Sequence, residues 1–342
     1  MQGMKFIRPL LAICALAIAV PASAQNQTFD DYLRDVAAQA RSEGISQSAI
    51  DRVLGNLTVS NRVIELDRQN LSSGSDTTST GFPSLANYLN RHNTQSRIDG
   101  GRRTIARVRS LASAAEARYG VPASIMVAIW GHETAYGAVK GGFDLPQALA
   151  TLAWEGRRRS LFEPELLAVL KMVDQGVPRG DLLGSHAGAF GNPQFLPSVY
   201  LRLAVDGDND GDRDIWNSDA DTLFSIANYF RDAGWRPGQP WGVRAYVPNS
   251  VNRDAIVNDV ESPVCPRVHG RHSRWMTVRE WREMGVIPQA QIADDAMVSL
   301  FEPDGPAFPG YLLTQNYRVI LEYNCSNYYA MSVGLLADEI TQ

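Results

Sequence analysis

Glu133 is the residue whose sequence context points most directly to chemistry. It follows an apolar stretch and precedes Gly137, so a helix that starts near Pro122 would carry it in the last turn. Ile125 and Ile129 lie eight and four residues before it, on the same helical face. Burial and the helix dipole would both raise the pKa of the Glu133 carboxyl. The pattern predicts either a general acid or a carboxyl bonded to a polar neighbour in the core.

Two other catalytic patterns fail on spacing. His132 and Glu133 begin like the zinc motif His-Glu-x-x-His, but Tyr136 occupies the place of the second histidine. Residues 184–188 read Gly-Ser-His-Ala-Gly, in which the serine stands one position too early for Gly-x-Ser-x-Gly. The sequence therefore favours neither a zinc protease of this type nor a serine hydrolase.

An acid-rich loop at residues 206–214 contains the first half of an EF-hand calcium loop. Aspartates occupy positions 1, 3 and 5, and Gly211 stands at position 6, where the chain must turn sharply. Position 12 is Asn217 instead of glutamate, so Asp219 or Asp221 would have to complete the ligand shell. Because crowded carboxylates repel one another, we predict calcium or another hard cation here, with a solvated acidic turn as the alternative. The predicted ligands are Asp206, Asp208, Asp210, Asp212 and Asp221.

The first 24 residues are typical of a secretory signal peptide. Lys5 and Arg8 precede an apolar run at 10–20 that ends in Ala-Ser-Ala at 22–24. This run is too short for a permanent transmembrane helix, and no later stretch of about 18 apolar residues follows. We therefore expect an exported protein without a transmembrane anchor.

Composition sets further limits on the function class. The chain has 342 residues, of which 44% are hydrophobic and 20% are charged, which is typical of a globular protein. A formal net charge of −5 gives no electrostatic reason to expect nucleic acid as a partner. Cys265 and Cys325 are the cysteines left after the signal peptide, and export favours a disulfide between them, with two unpaired buried thiols as the alternative.

Helices are the elements that must position most of these residues. Residues 71–81 are rich in Ser, Thr and Gly and predict a loop, and residues 297–301 and 311–313 read as short strands. The remaining predicted helices lie at 28–70, 84–119, 164–175, 221–233 and 328–340.

Taken together, these segments resemble the lytic murein transglycosylase B family, periplasmic bacterial enzymes that cut the glycan strands of peptidoglycan. The resemblance covers most of the chain after the signal peptide. It depends on ordered matches at residues 121–137, 148–153, 157–162, 184–198, 206–221, 227–230 and 323–330.

The resemblance implies a mainly α (α+β) fold with a lysozyme-like helical catalytic domain. The implied organisation is a signal peptide at 1–24, a helical region and loop at 25–82, the catalytic domain with its EF-hand-like loop (206–221) at 83–261, and a small mixed α/β region at 262–342 that completes the groove. It also implies a periplasmic location.

Residue roles follow from the same resemblance. Glu133 is implied as the single catalytic acid and base, and Arg157 and Arg158 are implied to lie near peptide-stem carboxylates. The implied saccharide-groove residues are Ser185, Gln194, Tyr229, Tyr323, Asn324 and Tyr329, with Tyr88 on a weaker local match. The implied partners are peptidoglycan glycan strands, with other cell-wall enzymes as candidates, and no organic cofactor is expected.

The residue chemistry agrees with a non-hydrolytic reaction. Hydrolytic glycosidases normally use two carboxylates, and no second carboxylate here has a comparable burial argument. One suffices when the muramoyl 6-hydroxyl attacks within the substrate and closes a 1,6-anhydro ring. The expected target is the β-1,4 bond between N-acetylmuramic acid and N-acetylglucosamine. A hydrolytic muramidase and a catalytically silent peptidoglycan-binding scaffold are the alternatives.

Overall fold

The computed structural model of the chain describes residues 27–75 and 84–342. The predicted signal peptide and residues 76–81 of the predicted loop lie outside these residues. No helix in the described part of the chain is both long enough and apolar enough to cross a membrane.

Helices make up most of the described residues, which confirms the predicted mainly helical α+β fold. They are α1 (Phe29–Ser42), α2 (Gln47–Leu54), α3 (Asn61–Ser75), α4 (Leu85–His92), α5 (Gln95–Arg107), α6 (Arg109–Tyr119), α7 (Ala123–Thr134), α8 (Leu145–Glu155), α9 (Arg159–Asp174), α10 (Pro197–Leu203), α11 (Asp219–Asp232), α12 (Pro266–His269), α13 (Val278–Glu283), α14 (Gln315–Tyr323) and α15 (Asn327–Glu339).

The predicted boundaries of α3 and α9 are wrong. The helix α3 continues through Ser75, although a loop was expected from residue 71, because each residue added to a formed helix gains a backbone hydrogen bond. The helix α9 begins at Arg159, five residues before the expected start at Pro164. Buried Phe162 extends the apolar pattern ahead of the proline, whose fixed φ is compatible with a helix.

Two hydrophobic cores organise the helices. The first joins α1 and α2 to α8, α9 and α10, and it contains Tyr32, Leu149 and Leu166. The second surrounds α7 with α6, α11, α14 and α15. Tyr229 and Tyr323 pack against both cores, so these two tyrosines lie at the seam between them.

The helix α7 is enclosed on all sides. Every side chain from residue 125 to residue 130 is buried, so the predicted single apolar face is too narrow a description. The helix ends at Thr134, and Ala135 and Tyr136 follow with φ of 49° and 61°. The expected stop at Gly137 is therefore two residues late.

Packing of the Tyr136 ring explains this early helix end. The ring lies so close to Gly131 that a Cβ atom there would be 2.6 Å from Tyr136 Cε1, and Gly100 and Gly101 of α5 are similarly close. The Tyr136 hydroxyl donates to the carbonyl of Arg97 at 2.7 Å. Tertiary contacts thus hold two non-glycine residues in the left-handed region.

A five-stranded antiparallel sheet packs beside the helical cores. Its strands are β3 (Gly242–Tyr246), β4 (Trp275–Thr277), β5 (Ile287–Pro288), β6 (Met297–Phe301) and β7 (Gly310–Leu313), in the order β4-β6-β7-β3-β5. The predicted strands at 297–301 and 311–313 agree with β6 and β7. Because Gly242 of β3 pairs with Leu313 of β7, the sheet extends to both sides of the proposed boundary at residue 262. The short strands β1 (Phe143–Asp144) and β2 (Leu183–Gly184) form a separate pair.

Cys265 and Cys325 form a disulfide in this structure, with Cα atoms 5.4 Å apart. Cys265 is buried and directly precedes α12, whereas Cys325 lies in the short link between α14 and α15. The bridge therefore fixes the start of α15 to a segment 60 residues earlier in the chain.

Removal of this bridge by the double substitution Cys265→Ser and Cys325→Ser should lower the free energy of unfolding by about 4 kcal/mol, because the unfolded chain gains loop entropy. Urea unfolding of the variant and of the parent, each with and without reductant, measures the loss. Reductant should weaken the parent and leave the variant unchanged. Alkylation of both cysteines in denatured, unreduced parent would contradict the bridge.

Candidate functional site

The Glu133 carboxyl lies at the centre of a polar group at the end of the apolar helix α7. It is partly buried, and the Tyr329 hydroxyl donates to its Oε1 atom at 2.5 Å. Burial raises the pKa of Glu133 to about 7, although the Tyr329 hydrogen bond and the charge of Arg97 act in the opposite direction. The carboxyl can therefore hold or release a proton near neutral pH.

The helix α15 delivers Tyr329 to this carboxyl. Ser326 caps the helix, and its Oγ accepts from the Tyr329 amide at 3.3 Å. The Tyr329 side chain, on α15, is buried where that helix packs against α7, and only 6% of its surface is exposed. Its hydroxyl is thus held by packing as well as by the bond to Glu133.

Tyr323 lies close to Glu133, and Tyr229 packs against Tyr323. Tyr323 and Tyr229 meet edge to face with ring centres 4.7 Å apart. Their hydroxyls donate to the main chain, Tyr323 to Pro193 at 2.6 Å and Tyr229 to Glu322 at 3.1 Å. Because the hydroxyls are held in this way, the rings form a fixed aromatic wall along the seam of the two cores.

Tyr88 of α4 faces Glu133 from another side. Burial raises its pKa, and the negative charge of Glu133 raises it further. Its ring stacks on His92 at 4.1 Å and lies 5.7 Å from Tyr328. The weak sequence match at Tyr88 therefore falls on a residue close to the central carboxyl.

The loop at residues 184–198 adds two predicted residues. Ser185 Oγ accepts the amides of Ala187 and Ala189, at 3.3 and 3.0 Å, and so shapes the loop. Gln194 adopts φ of 51° and donates through Nε2 to Gly191 and Lys140. The side chains of Ser185 and Gln194 therefore both form hydrogen bonds within the protein.

Asn192 connects this loop to helix α7, a contact that we did not predict. Its carbonyl accepts from the Thr134 hydroxyl at 3.0 Å, directly beside Glu133. Its amide donates to the Ile215 carbonyl at 2.8 Å, and its side chain donates to Trp216 and Thr222. The sequence signal was only its place in a matched segment.

Arg157 and Arg158 have carboxylate partners inside the protein. Arg157 pairs with Asp67 at 2.8 Å and with Glu155 at 2.7 Å, and Arg158 also pairs with Asp67. Asp67, on α3, is almost fully buried. The sequence did not predict that the Asp67 carboxylate would pair with both arginines. Arg157 and Arg158 remain about one-third exposed.

Asn324, another predicted groove residue, is exposed at the end of α14.

The acid-rich loop at residues 206–214, called the aspartate loop below, contains three carboxylates that could share one cation. One oxygen from each of Asp206, Asp208 and Asp210 lies within 4.8 Å of the others. Oxygen donors at such spacing suit a hard cation. Asp206 also accepts the amides of Asn209 and Gly211, which curl the loop around it.

Two other predicted ligands stand outside this group of three. Asp221 is buried, and its two oxygens accept the amides of Gly207 and Asp214 at 2.7 and 2.6 Å. Burial raises its pKa to about 6. Asp221 therefore braces the two ends of the loop from inside. Burial and the negative charge of Asp210 raise the pKa of Asp212.

Comparison with known proteins gives consistent similarities. A family model described as the transglycosylase SLT domain matches residues 28–338. The membrane-bound lytic murein transglycosylase B of Escherichia coli K12 is 33% identical over 225 residues, which are 65% of this chain. The match spans 58% of the length of that curated relative.

Solved structures share the fold. SltB3 from Pseudomonas aeruginosa, in complex with NAG-anhNAM-pentapeptide, is 34% identical with a TM-score of 0.81, covering 92% of this chain and 80% of that one. Escherichia coli Slt35, in complex with calcium, is 26% identical with a TM-score of 0.73, covering 91% and 92%. These neighbours confirm the predicted lysozyme-like, mainly helical fold.

The raised pKa of Glu133 predicts a pH-dependent cost that Glu133→Gln removes. Below about pH 4 the carboxyl is protonated in both folded and unfolded chains, so the parent and the variant should differ least there. As the pH rises toward 8, the unfolded chain ionises first, and the parent should lose up to about 3 kcal/mol relative to the variant. Urea unfolding at pH 4, 6 and 8 measures this difference, and a constant difference across the three would contradict the raised pKa.

Proposed function

This chain belongs to the transglycosylase SLT domain family, and from that premise we propose that it is a lytic transglycosylase. We propose that it cleaves the β-1,4 bond between N-acetylmuramic acid and N-acetylglucosamine in peptidoglycan and leaves 1,6-anhydro-N-acetylmuramic acid ends. The observation that carries the proposal is the Glu133 carboxyl, whose pKa near neutrality suits both the acid and the base role.

Glu133 first acts as the acid. Its proton passes to the glycosidic oxygen as the bond from that oxygen to C1 of the muramoyl residue breaks, and N-acetylglucosamine leaves with a free 4-hydroxyl. The Tyr329 hydroxyl donates to Glu133 and stabilises the carboxylate that forms. The charge of Arg97 favours the same ionised form.

Glu133 then acts as the base. The 6-hydroxyl of the muramoyl residue bonds to C1, its proton passes to Glu133, and the carboxyl is restored without use of water. Because this nucleophile belongs to the substrate, one carboxyl can serve both steps. The groups that change the pKa of Glu133 in the described part of the chain are Tyr329 and Arg97, and neither is a carboxylate.

The aromatic wall supports a saccharide substrate. Tyr229 and Tyr323 present ring surface at the seam of the two cores, and the flat faces of pyranose rings pack well on such surface. We propose that the groove for the glycan strand follows this seam. The proposed groove residues are Ser185, Gln194, Tyr229, Tyr323, Asn324, Tyr329 and Tyr88.

The relatives support the product and the partner. SltB3 was solved with NAG-anhNAM-pentapeptide, which contains the anhydro sugar that a non-hydrolytic reaction forms. We infer that this chain acts on peptidoglycan strands in the periplasm after export through a cleaved signal peptide at 1–24. Arg157 and Arg158 would meet peptide-stem carboxylates with the surface that Asp67 leaves exposed. Other cell-wall enzymes are the candidate partners.

The proposed organisation keeps the catalytic domain at 83–261 and the region that completes the groove at 262–342. The helix α15 in the second region brings Tyr329 to Glu133 in the first. Both regions are therefore needed for the site.

We propose a structural calcium site in the EF-hand-like loop. The three carboxylates of Asp206, Asp208 and Asp210 would hold the ion, with Asp212 and Asp221 as the further residues of the loop expected to take part. The calcium complex of Slt35 supports this choice of ion. A bound cation would neutralise the crowded carboxylates of the loop.

Glu133→Gln should abolish strand cleavage while the fold is kept, because an amide of the same shape cannot give and regain a proton. Digestion of purified sacculi, followed by mass spectrometry of the released muropeptides, measures it. Glu165→Gln is the matched control, since Glu165 is a buried glutamate that binds Ser198 and lies outside the site. Parent products heavier by one water would show hydrolysis instead, and anhydro products from Glu133→Gln would contradict the catalytic assignment.

Calcium should stabilise the parent against heat. At one hundred times its Kd it should raise the melting temperature by roughly 5 °C, and the double variant Asp208→Ala, Asp210→Ala should lose this response. The double variant Asp259→Ala, Asp295→Ala changes the charge equally at exposed positions and should respond like the parent. Equal melting of the parent with calcium and with chelator would exclude the site.

A further inference from the structure

His132 lies next to Glu133 on α7 and contacts a second polar group behind it. Its Nε2 atom is 3.1 Å from the Ser332 hydroxyl, and its Nδ1 atom is 3.5 Å from an Arg97 guanidinium nitrogen. Ser332, fully buried on α15, also contacts Asn93, the residue that ends α4. Four helices, α4, α5, α7 and α15, therefore contribute to one series of hydrogen bonds, called the His132 chain below.

The direction of each hydrogen bond in this chain is fixed by the chemistry of its ends. Arg97 can only donate, so His132 Nδ1 accepts. Asn93 Nδ2 donates to the Ser332 carbonyl at 2.9 Å, which turns its Oδ1 toward the Ser332 hydroxyl at 2.6 Å. The Ser332 hydroxyl donates its proton to Asn93 Oδ1, so the Ser332 oxygen accepts a hydrogen bond from His132 Nε2. Only the neutral imidazole with its proton on Nε2 satisfies all four groups.

Burial keeps His132 in this neutral state. Burial, followed by the charges of Arg97 and His92, lowers the pKa of His132 to about 3, although the hydrogen bond with Ser332 acts in the opposite direction. The imidazole therefore does not change charge where Glu133 titrates. Its contribution at those pH values is geometric.

The His132 chain is a second link between α7 and α15, next to the bond between Tyr329 and Glu133. Glu133 and His132 are neighbours on α7, while Tyr329 and Ser332 stand three residues apart on the same face of α15. The His132 ring also contacts the Tyr329 ring edge to face, with centres 5.6 Å apart. Two cross-links and one ring contact thus set the approach of α15 to α7.

We propose that His132 is a positioning residue, which acts through Ser332 and Asn93 to hold the Tyr329 hydroxyl on the Glu133 carboxyl. The expected effect on muropeptide release rests on the proposed function. The positioning of Tyr329 rests on the four hydrogen bonds of the His132 chain.

Loss of the Tyr329 bond has a defined electrostatic sign. The bond stabilises the Glu133 carboxylate and lowers its pKa, so loss of the bond raises the pKa and keeps the acid form to higher pH. The groups that face Glu133 from the packed elements are Tyr88 on α4, Arg97 on α5, Tyr323 on α14 and Tyr329 on α15, with His132 adjacent on α7.

A double-mutant cycle tests the proposal. The titration of Glu133 is followed by carbon-13 NMR without substrate, and the pH profile of muropeptide release is recorded in parallel. His132→Ala, Ser332→Ala and Tyr329→Phe should each move the titration upward by about half to one pH unit. The cycle combines Ser332→Ala with Tyr329→Phe. The double variant should move no further than Tyr329→Phe alone, because both changes remove the same bond. Ser332→Thr keeps the hydroxyl and should restore the parent value.

Ser225→Ala is the matched control. Ser225 is also fully buried and accepts the Val205 amide at 3.0 Å away from the chain, so its loss should lower the melting temperature without moving the titration. If Ser332→Ala does not fold, Asn93→Ala at a partly exposed position takes its place.

Additive shifts in the double variant, or a parent-like titration of Ser332→Ala, would overturn the positioning role. A parent that releases no product would overturn the proposed function instead. The NMR titration would still decide the role of His132 in that case.

Discussion

The rest of the site depends on one constraint, a carboxyl placed at the end of a helix that is enclosed on all sides. Charge on a buried carboxyl is costly unless hydrogen bonds and counter-charges offset the lost hydration. Around Glu133 the offset is incomplete, since one hydroxyl and one guanidinium reduce the rise in pKa without cancelling it. Both the protonated and the ionised form of the carboxyl are therefore accessible near neutral pH, so it can exchange a proton in either direction.

The supporting elements can be understood as answers to that constraint. The helix α15 supplies the hydroxyl, α5 supplies the guanidinium, and the loop at 184–198 is attached through Asn192 to Thr134, the next residue along α7. The aspartate loop joins the same set through the bonds from Asn192 to Ile215 and Trp216. Distant parts of the chain thus reach Glu133 by short, continuous contacts.

Local sequence patterns predicted helices α7, α9, α11 and α15, strands β6 and β7, and the partial burial of Glu133, because each depends mainly on neighbours along the chain. They did not predict helices α8, α10, α13 and α14 or strands β3, β4 and β5. Patterns failed where a distant residue decides the outcome. The end of α7 depends on the Tyr136 ring against α5, and the surroundings of Arg157 depend on Asp67, ninety residues earlier. The sequence also did not indicate that the oxygens of Asp221, a predicted metal ligand, accept the backbone amides of Gly207 and Asp214.

The Tyr136 packing also constrains how this chain can change by mutation. Gly100, Gly101 and Gly131 each leave room for the same aromatic ring, with virtual Cβ atoms only 2.6 to 2.8 Å from it or from Ile340. An alanine at Gly100 or Gly131 would require the Tyr136 ring to move or a smaller residue at 136, which would lose the hydroxyl bond to Arg97. An alanine at Gly101 would also require the Ile340 side chain to move. These positions therefore constrain one another. A substitution at one of them is costly alone and is better tolerated when a neighbouring position changes as well.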